Sequence, residues 1–229
     1  MVVLTTASIF GTPNVGVYAL VNDKIAILPE SAPKKFENLV LEILEVERVI
    51  RCTIGGLSIL GILAAINNNG IVLPKIILDR ELDLLTKELK DLLNVEVIRD
   101  TRYTALGNLI LVNDHSALVY DRLEDSVVKV IEDILDVEVM KGRISDDVGV
   151  VGSAGVVNNQ GLLLHPSASE SKVEELMEFF KVSKADVGTV NKGVPFLRTG
   201  ILTNNKGALV GDDSTGPELM HIGRILGVS

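Results

Sequence analysis

The residue types that most often serve as nucleophile and base near neutral pH are scarce in this chain and far apart. There is one cysteine, Cys52, and there are three histidines, His115, His165 and His221. A nucleophilic cysteine needs an adjacent base or a cationic neighbourhood to hold its thiolate. Cys52 follows Val49-Ile50-Arg51 in a strand-like run, and on a strand Arg51 points to the opposite face. A free cysteine in such a run behaves as a small hydrophobe. His115 falls in a turn, His165 after a strand and His221 on a helix, and each reads as a surface or satisfied histidine. No Walker loop, G-x-G-x-x-G, H-E-x-x-H or C-x-x-C occurs. A lone cysteine forms no internal disulfide and lacks metal-ligand spacing. No catalytic constellation, metal or cofactor is therefore expected.

Asparagine has a different distribution. Asn22, Asn67, Asn113, Asn158 and Asn204 follow one another at steps of 45, 46, 45 and 46 residues. Each sits between two apolar runs, as in ILVNDHSALV and GVVNNQGLLL. Five amides at equivalent positions could encircle a ligand. The simpler reading is that each starts a tight turn, because Asn tolerates left-handed backbone and bonds its own main chain. A period of this length marks a repeat architecture.

The elements that position these asparagines can be followed in the third unit. Leu109–Val112 reads as a short strand, Asn113–Ser116 as a turn and Ala117–Tyr120 as a second strand. Asp121 with Glu124 has capping-box spacing, and apolar residues then recur at helical intervals to Leu135. Val137–Met140 alternates as a half-buried strand does. The spacing predicts helices over about 34–45, 80–93, 122–135, 170–180 and 217–226. Ser171 with Glu174 and Thr215 with Glu218 are further capping-box pairs. Outer strands are expected over Val46–Thr53, Val95–Asp100, Val137–Arg143 and Ala185–Val190, but none follows the fifth helix. Residues 2–8 have strand composition and would supply the missing strand. The expected fold is a single α/β domain, a closed ring of five modules. Their bounds are about 9–54, 55–100, 101–144, 145–191 and 192–229. Closure would remove the exposed sheet edge of an open array. Apolar runs such as Gly61–Ile66 and Gly152–Val157 would line the axis as strands. Gly16, Gly61, Gly107 and Gly152 each precede a repeat asparagine by six residues, and the fifth unit has Arg198 there. Close backbone approach at a crowded axis accounts for these glycines.

The bulk properties exclude several classes. The formal net charge of -9 argues against broad electrostatic binding to free nucleic acid, which needs clustered Lys and Arg. No apolar run reaches the roughly 18 residues that span a bilayer. The start, Met1-Val2-Val3-Leu4-Thr5-Thr6, lacks the basic region and cleavage site of a secretory signal. A cytoplasmic protein is expected.

Several phrases are more specific. Thr104-Ala105-Leu106-Gly107-Asn108 followed by Asn113-Asp114 resembles archaeal and eukaryotic translation initiation factor six. So do Val151-Gly152-Ser153 with Asn159-Gln160-Gly161 and His165-Pro166, then Gly188–Gly193, then Gly211–Leu219. The resemblance runs from about Gly11 to Leu226. It implies the pentein fold, a five-bladed pseudo-symmetric α/β ring. It also implies a ribosome anti-association factor that binds the joining face of the large ribosomal subunit and blocks the small subunit. A role in large-subunit maturation or availability is implied with it. The expected contact is chiefly a ribosomal protein near the sarcin–ricin loop, which suits a chain of charge -9. Release would need a release protein and a translocase-type GTPase. A monomer is expected. Asn108, with Gly107 before it, is the ribosome-binding position that the resemblance carries over.

Two departures accompany the match. The chain stops soon after Ile225-Leu226-Gly227 without the long polar tail of eukaryotic members, which points to the archaeal branch. Ile62 stands where eukaryotic members have an arginine. Two other functions compete. Some pentein proteins are enzymes that modify guanidino groups, but their nucleophilic cysteine lies late in the chain, and residues 185–229 here contain none. A ring-shaped scaffold for a different protein partner is the other. Either axial face could dock, and the resemblance favours the one near Asn108.

Overall fold

The computed structural model describes residues 3–228. These form five three-stranded sheets with one plan. In the third unit Ile110–Val112 pairs antiparallel with Ser116–Tyr120, which pairs parallel with Glu138–Gly142. A helix, Asp125–Leu135, links the two parallel strands, as a parallel crossover requires. The same order recurs from Leu20 to Arg51, from Ala65 to Ile98 and from Gly155 to Val187. The middle strands, such as Ile25–Leu28 and Gly161–Leu164, are buried at every residue. That is why they read as unbroken apolar runs rather than as alternating ones.

The fifth unit borrows its outer strand. Leu4–Ala7 pairs parallel with Ala208–Gly211, in register Leu4 to Ala208 and Ala7 to Gly211. Val2, which the sequence also assigns to this strand, and Ser229 lie outside the described residues.

The helices are Lys34–Ile43, Asp79–Leu89, Asp125–Leu135, Glu170–Phe179 and Gly216–Leu226. Three cover the sheet of a neighbouring unit. Residues 216–226 pack on strands 161–164 and 184–187, 125–135 on 70–74 and 94–98, and 34–43 on 4–7 and 208–211. The apolar core accordingly falls into five clusters. One joins Ile25 and Ile27 to Ile71, Leu85 and Leu89, and another joins Phe36 and Val40 to Leu202 and Leu209. Each fully buried Leu, Ile or Phe stabilises the joint by roughly 1.5–3 kcal/mol.

The structure corrects the sequence reading at three places. First, Gly61–Ile66 and Gly152–Val157 are not strands throughout. Leu60–Leu63 and Val151–Ala154 are single helical turns, and strands start only at Ala65 and Gly155. Leu106–Leu109 is another such turn, so Leu109 belongs to it and not to the strand. Second, the cap of the third helix is Glu124, not Asp121; Asp121 instead accepts from the Arg143 Nε at 2.9 Å. Third, the fourth helix is capped by Ser169, whose Oγ accepts from the Lys172 amide at 3.2 Å, so Ser171 lies inside the helix. The Thr215–Glu218 capping box is present as expected.

Candidate functional site

The one-turn helices converge near the centre of the molecule, and glycine is what permits it. A Cβ on Gly107 would stand 2.2 Å from the Gly61 carbonyl oxygen, and one on Gly152 2.1 Å from that of Gly107. A Cβ on Gly61 would stand 2.0 Å from the Gly16 carbonyl oxygen, and one on Gly16 1.8 Å from that of Arg198. No side chain fits at such distances, so the backbones of adjacent units touch here.

Asn108 follows Gly107 in the turn Leu106–Leu109. Its amide N–H donates to the Ala105 carbonyl at 3.1 Å, and its side chain is partly exposed. Among the described residues the Asn108 side chain makes no hydrogen bond, so it does not cap the following strand. The equivalent residues of the other units are Val17, Ile62, Ser153 and Thr199, all partly exposed and uncharged. Just before these turns, Phe10, Leu57, Val150 and Phe196 are exposed, at 37–44%. The three-residue strand Ile110–Val112 separates Asn108 from Asn113. The one-turn helices and the asparagine turns therefore mark opposite ends of the molecule's centre.

At the asparagine end, two hydrogen-bond circuits run through all five units. Each repeat asparagine is buried, at 4–5% exposure. The Asn113 Oδ1 accepts from the amides of His115 and Ser116 at 2.9 and 3.0 Å, which makes the turn. Its Nδ2 donates to the carbonyls of Asn158 and Phe180 at 3.3 and 2.9 Å, which ties the turn to the next unit. Side-chain bonds link Asn22 to Asn67, Asn67 to Asn113, Asn113 to Asn158, Asn158 to Asn204 and Asn204 back to Asn22. The second circuit uses the next residue of each unit, Asp23, Asn68, Asp114, Asn159 and Asn205. The backbone N–H of each donates to the side-chain oxygen of the next, and Asn205 donates to Asp23. Sequence reading gave the first set a turn role and missed both circuits. The Asp or Asn after every repeat asparagine was the available signal.

Between the two ends lies a channel of about 70 Å³. It is lined by Val21, Ile66, Val112, Val157 and Thr203, with Asp23 and Asp114 at one end and Gly16 and Arg198 at the other.

The isolated reactive groups stay apart. Cys52 is 1% exposed, and its thiol donates to the Thr53 carbonyl at 3.0 Å. Burial first, and the Glu81 carboxylate second, push the thiol up to about 11, the reverse of what a nucleophile needs. His115 is exposed; His165 Nδ1 is 2.7 Å from the Ser167 Oγ; His221 Nε2 is 2.9 Å from the Val187 carbonyl. None of the three meets Cys52.

Residues 4–225 match the model of the eIF-6 family. The chain belongs to that family. Translation initiation factor 6 of Pyrobaculum arsenaticum is 44% identical over 219 residues, 96% of each chain. That of Pyrobaculum aerophilum is 42% identical, over 98% of this chain and 99% of the relative. That of Methanocaldococcus jannaschii is 43% identical, over 95% of each. Among solved structures, a DDAH from Pseudomonas aeruginosa covers 76% of this chain at 14% identity, with a TM-score of 0.49. As an eIF-6 family member this protein is a translation factor. Among its described residues no helix is long and apolar enough to cross a membrane.

Proposed function

We propose that this protein binds the joining face of the large ribosomal subunit and sterically prevents its association with the small subunit. The observation that carries the reading is the end of the molecule around Asn108. There an amide without an internal partner is partly exposed, and Phe10, Leu57, Val150 and Phe196 are exposed just before the equivalent turns of the other units. Exposed apolar groups suit a protein partner, and an amide that both donates and accepts suits a partner's main chain. The partner we infer is a large-subunit ribosomal protein near the sarcin–ricin loop, with Asn108 the contact and Gly107 the residue that sets its position. Release then falls to a release protein and a translocase-type GTPase.

We further propose that the five sheets form one closed pentein-type ring, a single domain. The pairing of Leu4–Ala7 with Ala208–Gly211 and the return of both hydrogen-bond circuits to their first unit support it. A rigid ring is suited to work as a steric block. The high pKa of the Cys52 thiol weighs against guanidino chemistry.

The test is subunit joining followed by light scattering. Excess protein should lower the yield of joined ribosomes in proportion to the large subunits occupied. Unchanged joining at saturating protein would overturn the proposal.

A further inference from the structure

Four of the five units place glycine where the fifth places Arg198. Arg198 lies in the turn Leu197–Gly200 and lines the central channel together with Gly16. Its side chain is partly exposed, along the channel. A guanidinium carries five N–H donors. Among the described residues those of Arg198 make no hydrogen bond and no ion pair, and no carboxylate is close enough to shift its titration. Asp23 and Asp114, the carboxylates of the channel, line it together with the repeat asparagines. Their oxygens are held by amides: Asn68 Nδ2 donates to both at 2.7 Å, Asn159 Nδ2 to Asp114 at 2.6 Å and Asn205 Nδ2 to Asp23 at 2.7 Å.

An unpaired cation facing so confined a channel keeps only part of its hydration, and a counter-ion offsets that loss. Burial pulls the guanidinium down to about 10, so it stays charged at neutral pH. Between Arg198 and the asparagine turns the channel wall is apolar or neutral, with Val21, Ile66, Val157 and Thr203. A volume of about 70 Å³ admits one small ion with a few waters, because a water needs roughly 10–15 Å³ by this measure. We propose that Arg198 makes the central channel a binding site for one small inorganic anion, a halide or a tetrahedral oxyanion. The bound ion neutralises the one charged residue among the five equivalent central positions and stiffens the joint between the fourth, fifth and first units. The site is independent of ribosome binding and stands whether or not that reading holds.

The experiment is thermal unfolding at fixed ionic strength, with sodium gluconate replaced stepwise by sodium bromide in one series and by sodium phosphate in another. The wild-type protein should show a saturable rise in Tm of about 2–4 °C per kcal/mol of binding linkage in at least one series. Response to bromide alone identifies a halide site, and response to phosphate alone an oxyanion site. Arg198→Met should abolish the response and Arg198→Lys should keep part of it. Crystals grown in bromide, or an arsenate soak if phosphate is the responder, should show an anomalous peak within hydrogen-bond reach of the guanidinium. This measurement needs only wild-type protein and stands even if Arg198→Met fails to fold. The proposal is overturned if Tm ignores both anions, if Arg198→Met responds like the wild type, or if no peak lies beside Arg198.

Discussion

The Asn204 side-chain amide donates to the Asn22 carbonyl at 3.0 Å, across 182 residues of sequence. The same Nδ2 reaches the Leu44 carbonyl at 2.7 Å, and the Asn204 Oδ1 accepts from the amides of Lys206 and Gly207. One buried side chain thus builds a turn in the last unit and fastens that unit to the first. Asn204→Ala leaves two N–H and two C=O groups without this partner, at about 1–3 kcal/mol for each that stays buried and unsatisfied. We expect a large fall in the urea midpoint, far beyond that of His115→Ala at an exposed position. Equal midpoints for the two variants would refute the structural role of the circuit.

Deleting residues 1–8 tests the same joint from the other side. It removes the partner of Ala208–Gly211 and the buried Ala7, and leaves an open sheet edge that favours aggregation. The truncated protein should lose its cooperative thermal transition or aggregate. A melt like that of the full chain would show that the fifth sheet does not depend on its borrowed strand.

Glycine is demanded at one set of positions and not at others. Gly107→Ala places a Cβ 2.2 Å from a backbone oxygen. Overpacking of this kind costs typically about 1–3 kcal/mol and more when backbone must move. At Gly216, the first residue of the last helix, a Cβ meets nothing within 4 Å. Gly216→Ala should be neutral or stabilise by up to about 1 kcal/mol. Thermal unfolding of the pair checks the contrast, and a Gly107→Ala protein as stable as Gly216→Ala would contradict the close approach.

Glu218 gives a pH signature. Burial raises its pKa, but bonds from the Thr215 and Gly193 amides and the Thr189 and Thr215 hydroxyls outweigh that and bring it from 4.5 to about 2. A depressed carboxylate stabilises the fold above its unfolded pKa, and the contribution fades as pH falls through the folded value. The stability gap between wild type and Glu218→Gln should be full at pH 7 and shrink between about 4.5 and 2. A gap independent of pH would mean that the charge contributes nothing.

Much of this was legible in the sequence, because the period of the asparagines fixes five units and apolar runs fix the middle strands. The helix starts were harder. Asp121 and Ser171 have the composition of caps, but Arg143 takes Asp121 and Ser169 supplies the cap for the fourth helix. The one-turn helices were hidden because four residues carry no helical periodicity, and Gly61–Ile66 reads equally well as a strand. At the candidate site, the place of Asn108 beside a required glycine was readable. Its lack of an internal partner was not, since that depends on what five distant segments bring to one end. Arg198 stood out only as a break in the glycine pattern, and its place on the central channel needed the fold.

Asn108 should separate binding from folding. Asn108→Asp keeps the size, removes two donors and adds a charge. Affinity for the large subunit should fall by on the order of 1–3 kcal/mol, the cost of unsatisfied polar groups. Tm should hold, because the side chain has no internal bond to lose. A well-folded variant with unchanged affinity would remove Asn108 from the interface.

The central claim is large-subunit binding, and its most direct test is sedimentation of the purified protein with separated archaeal ribosomal subunits through a sucrose gradient. The account predicts that the protein travels with the large subunit and not with the small one. Migration with the small subunit alone, or with neither, would contradict it.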